Sequence, residues 1–363
     1  MESWLRFANL QLPPRLANAL LDRCGSPEGV FAAAADQIED IPGLSPKQAL
    51  RLADPSFSPT QSQLDYLAKE RVRVLIRGAA DYPHGLRDLP DAPPVLFVRG
   101  APDERDRFAV ALVGTRRASP YGRSVAAKLA RELSEAGFTV VSGGALGIDS
   151  AAHRAAVEAR GRTLVVLGCG LDVPYPQENQ RLFDQIATDG WGAVITEFPM
   201  GATPEPWRFP MRNRIISGLS MAVVVVEADV QSGALITATI AAEQGREVMA
   251  VPGNIDRPTS RGANALIRDG AALVTGAKDI LDALGVLTLE MPGTRPSAPP
   301  QRVAEIPPAQ RKLLERLSLT PKHIDALAAE LQMAPVEAGV QMTLLELTGL
   351  VRRLPGNHYV RVL

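Results

Sequence analysis

AVALVG at 109–114, FTVVSG at 138–143, RTLVVLG at 162–168, GAVITE at 192–197, MAVVVVEA at 221–228 and EVMAVPG at 247–253 are the stretches that decide the fold. Continuous apolar runs of this length, with no polar alternation, suit strands buried on both faces, and the helix-compatible segments between them supply crossovers. The pattern predicts an α/β protein with a mostly parallel sheet over residues 64–287. Several runs end in Gly or Ser-Gly. In an open α/β sheet the loops that follow such strands gather at the carboxyl edge, where ligands bind.

Outward from the core, residues 1–60 read as a small helical unit. Leu16, Leu20 and Leu21 have helical spacing, and Pro13-Pro14 stand where a helix start tolerates proline. IPGLSPKQAL (41–50) looks like a helix-hairpin-helix turn with Ser45 in place of the usual second glycine. A structural or docking role and direct DNA contact both stay open for this unit. Residues 56–60, rich in Ser and Pro, read as a linker, and so does the proline-rich stretch 288–308. Residues 309–363 give three helical patterns and two short strands around Pro355-Gly356-Asn357, a winged-helix-like arrangement. A chain of 363 residues is long enough for several such domains.

The formal net charge of -1 gives no global attraction to nucleic acid, so binding of a polyanion has to rest on a local basic patch. Cys24 and Cys169 lie in different segments with no neighbouring ligand spacing, which argues against a disulfide framework and against a metal site. No secretory leader and no apolar stretch of membrane-spanning length is evident, so a cytoplasmic location is expected.

The residues suited to chemistry lie at the ends of the predicted strands. In VGTRRASPYGRS (113–124), Gly114 and Thr115 end a strand, Arg116 and Arg117 follow, and Ser119 and Pro120 suit a helix start. Open N–H groups and the helix dipole there predict a phosphate site to which an arginine adds a contact; the alternative is a surface loop with solvated arginines. SGGALGIDSAAH (142–153) brings Ser142, Gly143 and Gly144 to the end of the next strand, where the backbone can approach a ligand closely. Asp149 and His153 share a helix face. A capping Asp with the His bonded to it is expected there rather than an acid/base pair.

In GCGLDVPYPQEN (168–179), Gly168 and Gly170 begin a dinucleotide fingerprint, but Val173 stands at its third glycine. Tyr175 either stacks on a base or packs on Pro174 and Pro176, with packing preferred. FPMRNRIISGLS (209–220) offers Arg212, Asn213 and Arg214 to phosphates at the sheet edge, or else an internal salt bridge with Glu197 or Glu227. EADVQSGALITATIAAEQGRE (227–247) opens a helix at Ser232-Gly233, with Thr237 facing the same end. No G-x-x-x-x-G-K-[ST] occurs, so P-loop hydrolysis of ATP has no support.

Taken in order, VGTRRAS..G, SG...GID..AH, LGCGLDV.YP.EN, FP.RNRIISGLS, VVEA...SGALITA..A.EQGREV.AVPG and N.LI..GA resemble the bacterial DNA-processing protein A family, also called Smf, over essentially the whole chain. The resemblance implies a protein that binds and protects incoming single-stranded DNA and loads RecA recombinase onto it during natural transformation. It implies sterile-alpha-motif-like helices, a Rossmann core that dimerises and a winged-helix-like C-terminal domain. Its partners would be single-stranded DNA, RecA and a second copy, with no membrane, no cofactor, no metal and no catalytic residue. The DNA pocket would use Gly114, Thr115, Arg116 and Arg117, with Ser142, Gly143, Gly144, Arg212, Asn213, Arg214, Ser232 and Gly233 around it.

Two positions depart from the family pattern, Leu146 where a basic residue often stands and Gln177 where some relatives carry lysine. Both remove positive charge near the pocket. The rival from another class is a nucleotide phosphoribohydrolase of the lysine-decarboxylase-like type. Those enzymes carry PGGxGTxxE after a late strand, and residues 227–245 lack that glycine pair. A protein-docking scaffold, the third possibility, predicts no salt-sensitive DNA binding.

Overall fold

Short helices, α1 (Glu2–Asn9), α2 (Pro14–Cys24), α3 (Pro27–Ala32), α4 (Ala35–Ile38) and α5 (Pro46–Ala53), gather the apolar residues of the N-terminal segment. Leu16 and Leu20 lie on the buried side of α2, against Phe7, Val30, Ile41 and Leu52. The structure, a computed structural model, describes residues 1–38, 40–173, 175–285, 307–317, 322–331, 333–347, 350–354 and 357–361. It falls into two units, Met1–Gly293 and Thr294–Leu363.

Ser45 has a structural task in the helix-hairpin-helix turn. Its hydroxyl accepts the Gln48 N–H at 3.3 Å while the Gln48 side chain accepts the Ser45 N–H at 2.8 Å, a closed capping box at the start of α5. Residues 56–60 are not a slack linker. Pro55–Phe57 forms a 3₁₀ turn, Asp54 accepts the Ser56 N–H at 2.8 Å, and Asn9 donates to the Phe57 carbonyl at 3.0 Å. Thr60 then caps α6 (Gln61–Lys69). A composition rich in Ser and Pro suits caps as well as linkers, and here the caps win.

The core follows as β1 (Arg73–Ile76), α7 (His84–Arg87), β2 (Val95–Gly100), β3 (Ala109–Gly114), α8 (Pro120–Glu135), β4 (Thr139–Ser142) and α9 (Ile148–Glu158). It continues with β5 (Thr163–Val166), α10 (Gln180–Thr188), β6 (Gly192–Thr196), α11 (Arg208–Gly218), β7 (Ala222–Glu227) and α12 (Gly233–Glu243). It ends with β8 (Glu247–Ala250), α13 (Pro258–Arg268), β9 (Ala272–Leu273) and α14 (Ala277–Ala283). Each of the six apolar runs is a strand. Every residue of β7 is buried, as a strand covered on both faces requires.

The sheet order is β1-β2-β6-β5-β4-β3-β7-β8-β9, antiparallel where β2 meets β1 and β6 and parallel elsewhere. Leu129 and Leu133 of α8, Ala152 of α9 and Ile280 of α14 cover one face. Leu86 of α7, Ile215 of α11, Ala234 and Ala238 of α12 and Ala263 of α13 cover the other. From β3 the chain winds through β4 and β5 to β6 on one side, and β7 to β9 lie on the other. The winding therefore reverses between β3 and β7, which opens a crevice at their carboxyl ends. The register slips there, pairing Gly114 with Glu227.

The C-terminal unit holds α15 (Pro308–Arg316), β10 (Lys322–His323), α16 (Ile324–Glu330), α17 (Pro335–Leu347), β11 (Val351–Leu354) and β12 (His358–Arg361). Its strands are antiparallel in the order β10-β12-β11, around a core of Leu313, Leu327, Met342, Leu345, Val351 and Tyr359. The short β10, which completes the winged-helix sheet, was not legible in the sequence. Pro355 and Gly356 of the expected turn, and all but the last two residues of the 288–308 stretch, lie outside the described residues. Among the described residues no helix is long and apolar enough to cross a membrane.

Candidate nucleic-acid interface

At the end of β3 the backbone is crowded. A Cβ on Gly114 would come within 2.5 Å of Ile148 and 2.8 Å of the Glu227 carbonyl, so only glycine fits. Thr115 donates its N–H to the Glu227 carbonyl at 2.7 Å, and its hydroxyl accepts the Arg117 N–H at 3.2 Å. This turn carries Arg116 and Arg117 outward, both exposed and neither in an ion pair among the described residues. The Arg116 guanidinium lies 4.8 Å from the ring centroid of Phe209, within cation–π range. Phe209 lies over Gly168, where a Cβ would come within 3.0 Å of its ring, and its centroid is 5.7 Å from that of Tyr175. Tyr175, 36% exposed, thus packs on Phe209 and keeps part of its ring open.

Gly114, Thr115, Arg116, Arg117 and Phe209 border a crevice of about 390 Å³ that Arg212, Asn213, Asp149, Ser232 and Gly233 also line. Ser232 caps α12 by accepting the Ala234 N–H at 3.3 Å, so the first turn of that helix and its partial positive charge face the crevice. Arg212 is buried and donates to the Val166 carbonyl at 2.5 Å. Burial lowers its pKa to about 10, with Asp149 opposing the shift, so it carries its charge at neutral pH. Burial raises the pKa of Asp149, while Arg212 and the Ala145 N–H at 3.2 Å work in the opposite direction. Gly143 makes room for Arg212, because a Cβ there would overlap the guanidinium.

Several expected residues prove to be internal. Ser142 is fully buried and donates to the Leu112 carbonyl at 2.6 Å. Gly144, at φ +69°, packs toward Val165 and Phe183. Arg214 turns inward to Glu197, with its two terminal nitrogens 2.5 and 2.6 Å from the two carboxylate oxygens, and its Nε donates to the Asp91 carbonyl at 3.0 Å. It forms the internal ion pair with Glu197.

The start of α8 is not an open anion site either. Ser119 donates its N–H at 2.9 Å and its hydroxyl at 3.1 Å to one oxygen of Glu227, so the protein's own carboxylate fills that position. The reason is topological. β3 and β7 are neighbours, and the residue that ends β7 lands on the helix that follows β3.

Asp149 and His153 are not bonded to each other. His153 Nδ1 is 2.6 Å from the Thr163 hydroxyl, which itself donates to the Val140 carbonyl at 2.8 Å, so the imidazole is the donor in the first bond. Burial lowers the pKa of His153 to about 3, with the charge on Arg212 adding to the effect, and it stays neutral in the fold. The folded pKa lies below the ordinary 6.5, so the stability that depends on neutral His153 is fully present above pH 6.5 and is lost as pH falls toward 3. Between pH 7.5 and pH 5 it should cost about 2 kcal/mol of unfolding free energy, measurable by urea denaturation. In His153→Leu that part of the slope should vanish; an unchanged slope would contradict the assignment. Asp149, whose pKa is shifted up by burial, contributes in the opposite sense in both proteins.

Phe209 is the crevice residue that the sequence did not single out, although it stands three positions before Arg212 in FPMRNR. Its signal is an aromatic ring beside a basic cluster.

Residues 73–285 match the family of DNA recombination-mediator protein A, 296–357 the DprA winged helix domain, and 14–54 the SAM-like helix-hairpin-helix tandem. The chain is 36% identical over 395 residues to Protein Smf of Synechocystis sp., covering 99% of this chain and 98% of that protein. It is 37% identical over 323 residues to Protein Smf of Escherichia coli, covering 88% and 85%. Among solved structures, DNA processing protein A from Streptococcus pneumoniae superposes with a TM-score of 0.65 at 35% identity, over 76% of this chain and 95% of that one. DNA processing protein A from Helicobacter pylori, whose structure is described for its single-stranded DNA binding mode, gives a TM-score of 0.53 at 30% identity, over 60% and 96%.

Proposed function

The chain belongs to the DNA recombination-mediator protein A family, and from that premise we propose that it binds single-stranded DNA in the crevice between β3 and β7. The observation that carries the proposal is the exposed Arg116, without an ion pair among the described residues, held against Phe209 at the mouth of a crevice that the start of α12 also lines. The Arg116 guanidinium and the first N–H groups of α12 hold backbone phosphates, and Arg117 adds positive charge at the rim. Phe209 and the open part of Tyr175 offer faces on which bases stack without regard to sequence. Gly114, Thr115, Asn213, Ser232 and Gly233 shape the crevice. Arg212 gives it a buried charge, and Gly143 makes that placement possible. Ser142, Gly144 and Arg214 serve the scaffold.

The protein is a mediator rather than an enzyme in this proposal. Asp149 faces Arg212 and His153 faces Thr163, so these two titratable groups form no nucleophile–base pair. The proposal extends to the loading of RecA recombinase onto incoming DNA in natural transformation, to action as a homodimer and to a cytoplasmic setting, all of which fit the family. Titration of fluorescent oligo-dT at two salt concentrations tests the DNA-binding claim. Affinity should fall as salt rises, with a log–log slope of roughly 0.7 per phosphate held. Absent or salt-insensitive binding would overturn it, and release of ribose phosphate from nucleoside monophosphates would favour the phosphoribohydrolase.

A further inference from the structure

On the other side of Glu227 lies a second crevice, of about 510 Å³, between the start of α8 and the loop that follows β8. Pro252, Gly253 and Asn254 of the AVPGN stretch, which the DNA crevice leaves unused, form one of its walls. Asn264 grips Gly253 from both sides, donating to its carbonyl at 2.9 Å and accepting its N–H at 3.0 Å. A Cβ on Gly253 would overlap the Ser260 hydroxyl, so the loop lies as close to α13 as glycine permits.

Glu227, only 3% exposed, lines this crevice. It accepts from the Ser119 N–H and hydroxyl and from the Thr259 hydroxyl. A carboxylate has about four acceptor positions, so among the hydrogen bonds of the described residues one remains open. The rim carries Tyr121, 52% exposed, with its hydroxyl anchored on the Pro252 carbonyl at 3.0 Å. Asn254 and Arg257 are exposed beside it, and Arg257 has no ion pair among the described residues. One carboxylate next to an arginine is poorly suited to a cation. A partly open aromatic ring, a buried acceptor and a rim cation together suit a nucleotide.

We propose that this crevice is a nucleotide pocket in which a base lies against Tyr121, its exocyclic amino group donates to Glu227, and its phosphate meets Arg257. An acceptor-only group favours cytosine, adenine or guanine over thymine, which has no exocyclic amino group to donate. The nucleotide is either free or part of a bound strand, and the strand case rests on the DNA-binding proposal above.

The test uses the full-length protein with labelled oligo-dC and oligo-dT of equal length, and with dCMP and dTMP. Tyr121→Ala and Arg257→Ala lie on the rim and spare the packing around Glu227. Tyr121→Ala should weaken oligo-dC or dCMP binding about tenfold and leave oligo-dT unchanged. Binding of dCMP that survives Arg116→Ala but is lost in Tyr121→Ala identifies a free nucleotide; an effect confined to oligo-dC identifies a subsite of the strand. Variants that leave oligo-dC and dCMP unaffected, or that weaken dC and dT alike, would overturn the pocket. Oligo-dT binding that depends on Arg116 would stand in either case, so the two proposals fail separately.

Discussion

Arg214→Ala should destabilise the core by about 3–5 kcal/mol, the usual cost of stripping one partner from a buried ion pair. Burial works against the charge of Arg214, yet the adjacent Glu197 carboxylate holds its pKa above the ordinary arginine value. The Glu197 side chain is only 9% exposed, and both of its oxygens face the guanidinium. Without Arg214 that carboxylate is uncompensated, and the Asp91 carbonyl loses its donor. Urea denaturation should report the loss, while oligo-dT affinity measured below the melting temperature stays within about twofold, because Arg214 does not reach the crevice. Replacing Arg214 and Glu197 together by leucine should cost less than Arg214→Ala alone, since no buried charge is then orphaned. Normal stability with lost DNA binding would put Arg214 in the interface.

The second large effect is expected at Phe209. Stacking a base on an aromatic side chain is worth about 1–3 kcal/mol, so Phe209→Ala should weaken oligo-dT binding by roughly 5- to 150-fold. The truncation also removes the surface against which Arg116 rests, a cation–π contact of about 0.5–1 kcal/mol at an exposed site. Phe209→Trp should keep most of the affinity. Fluorescence anisotropy on proteins with matched thermal melts checks both. An alanine variant that binds like wild type would remove base stacking from the account.

Much of the fold was legible because each of the six apolar runs is a strand, five of them buried along all or nearly all of their length, and burial of that kind writes itself as a run rich in Val, Ile, Leu and Ala. The winged-helix unit was legible from helical spacing and a turn signal. The edge strands were not. β9 is two residues long and β1 sits at the rim, so neither needs a distinctive apolar pattern.

At the site, the sequence located the loops but could not assign directions to the side chains. Arg212, Asn213 and Arg214 are consecutive on one helix, yet Arg212 and Asn213 line the crevice while Arg214 turns to Glu197. Which arginine finds an internal acid depends on residues far away in the chain. The same holds at Ser119, where the predicted anion site receives Glu227, 108 positions later, because β3 and β7 pair. The sequence offered more than one helix start suited to phosphate, with the stretch around Ser119 the strongest. Only the start of α12 both faces the crevice and lies opposite no carboxylate of its own sheet edge in the hydrogen bonds among described residues.

The central claim, that Arg116 holds a backbone phosphate of single-stranded DNA, is tested most directly by the salt dependence of oligo-dT affinity in wild type and in Arg116→Ala. Each phosphate released from contact changes the slope of log affinity against log salt by roughly 0.7. Wild type should lose affinity steeply with salt, and Arg116→Ala, with an unchanged thermal melt, should bind more weakly with a slope flatter by about one such contact. An Arg116→Ala protein of normal stability, with the affinity and slope of wild type, would contradict the account.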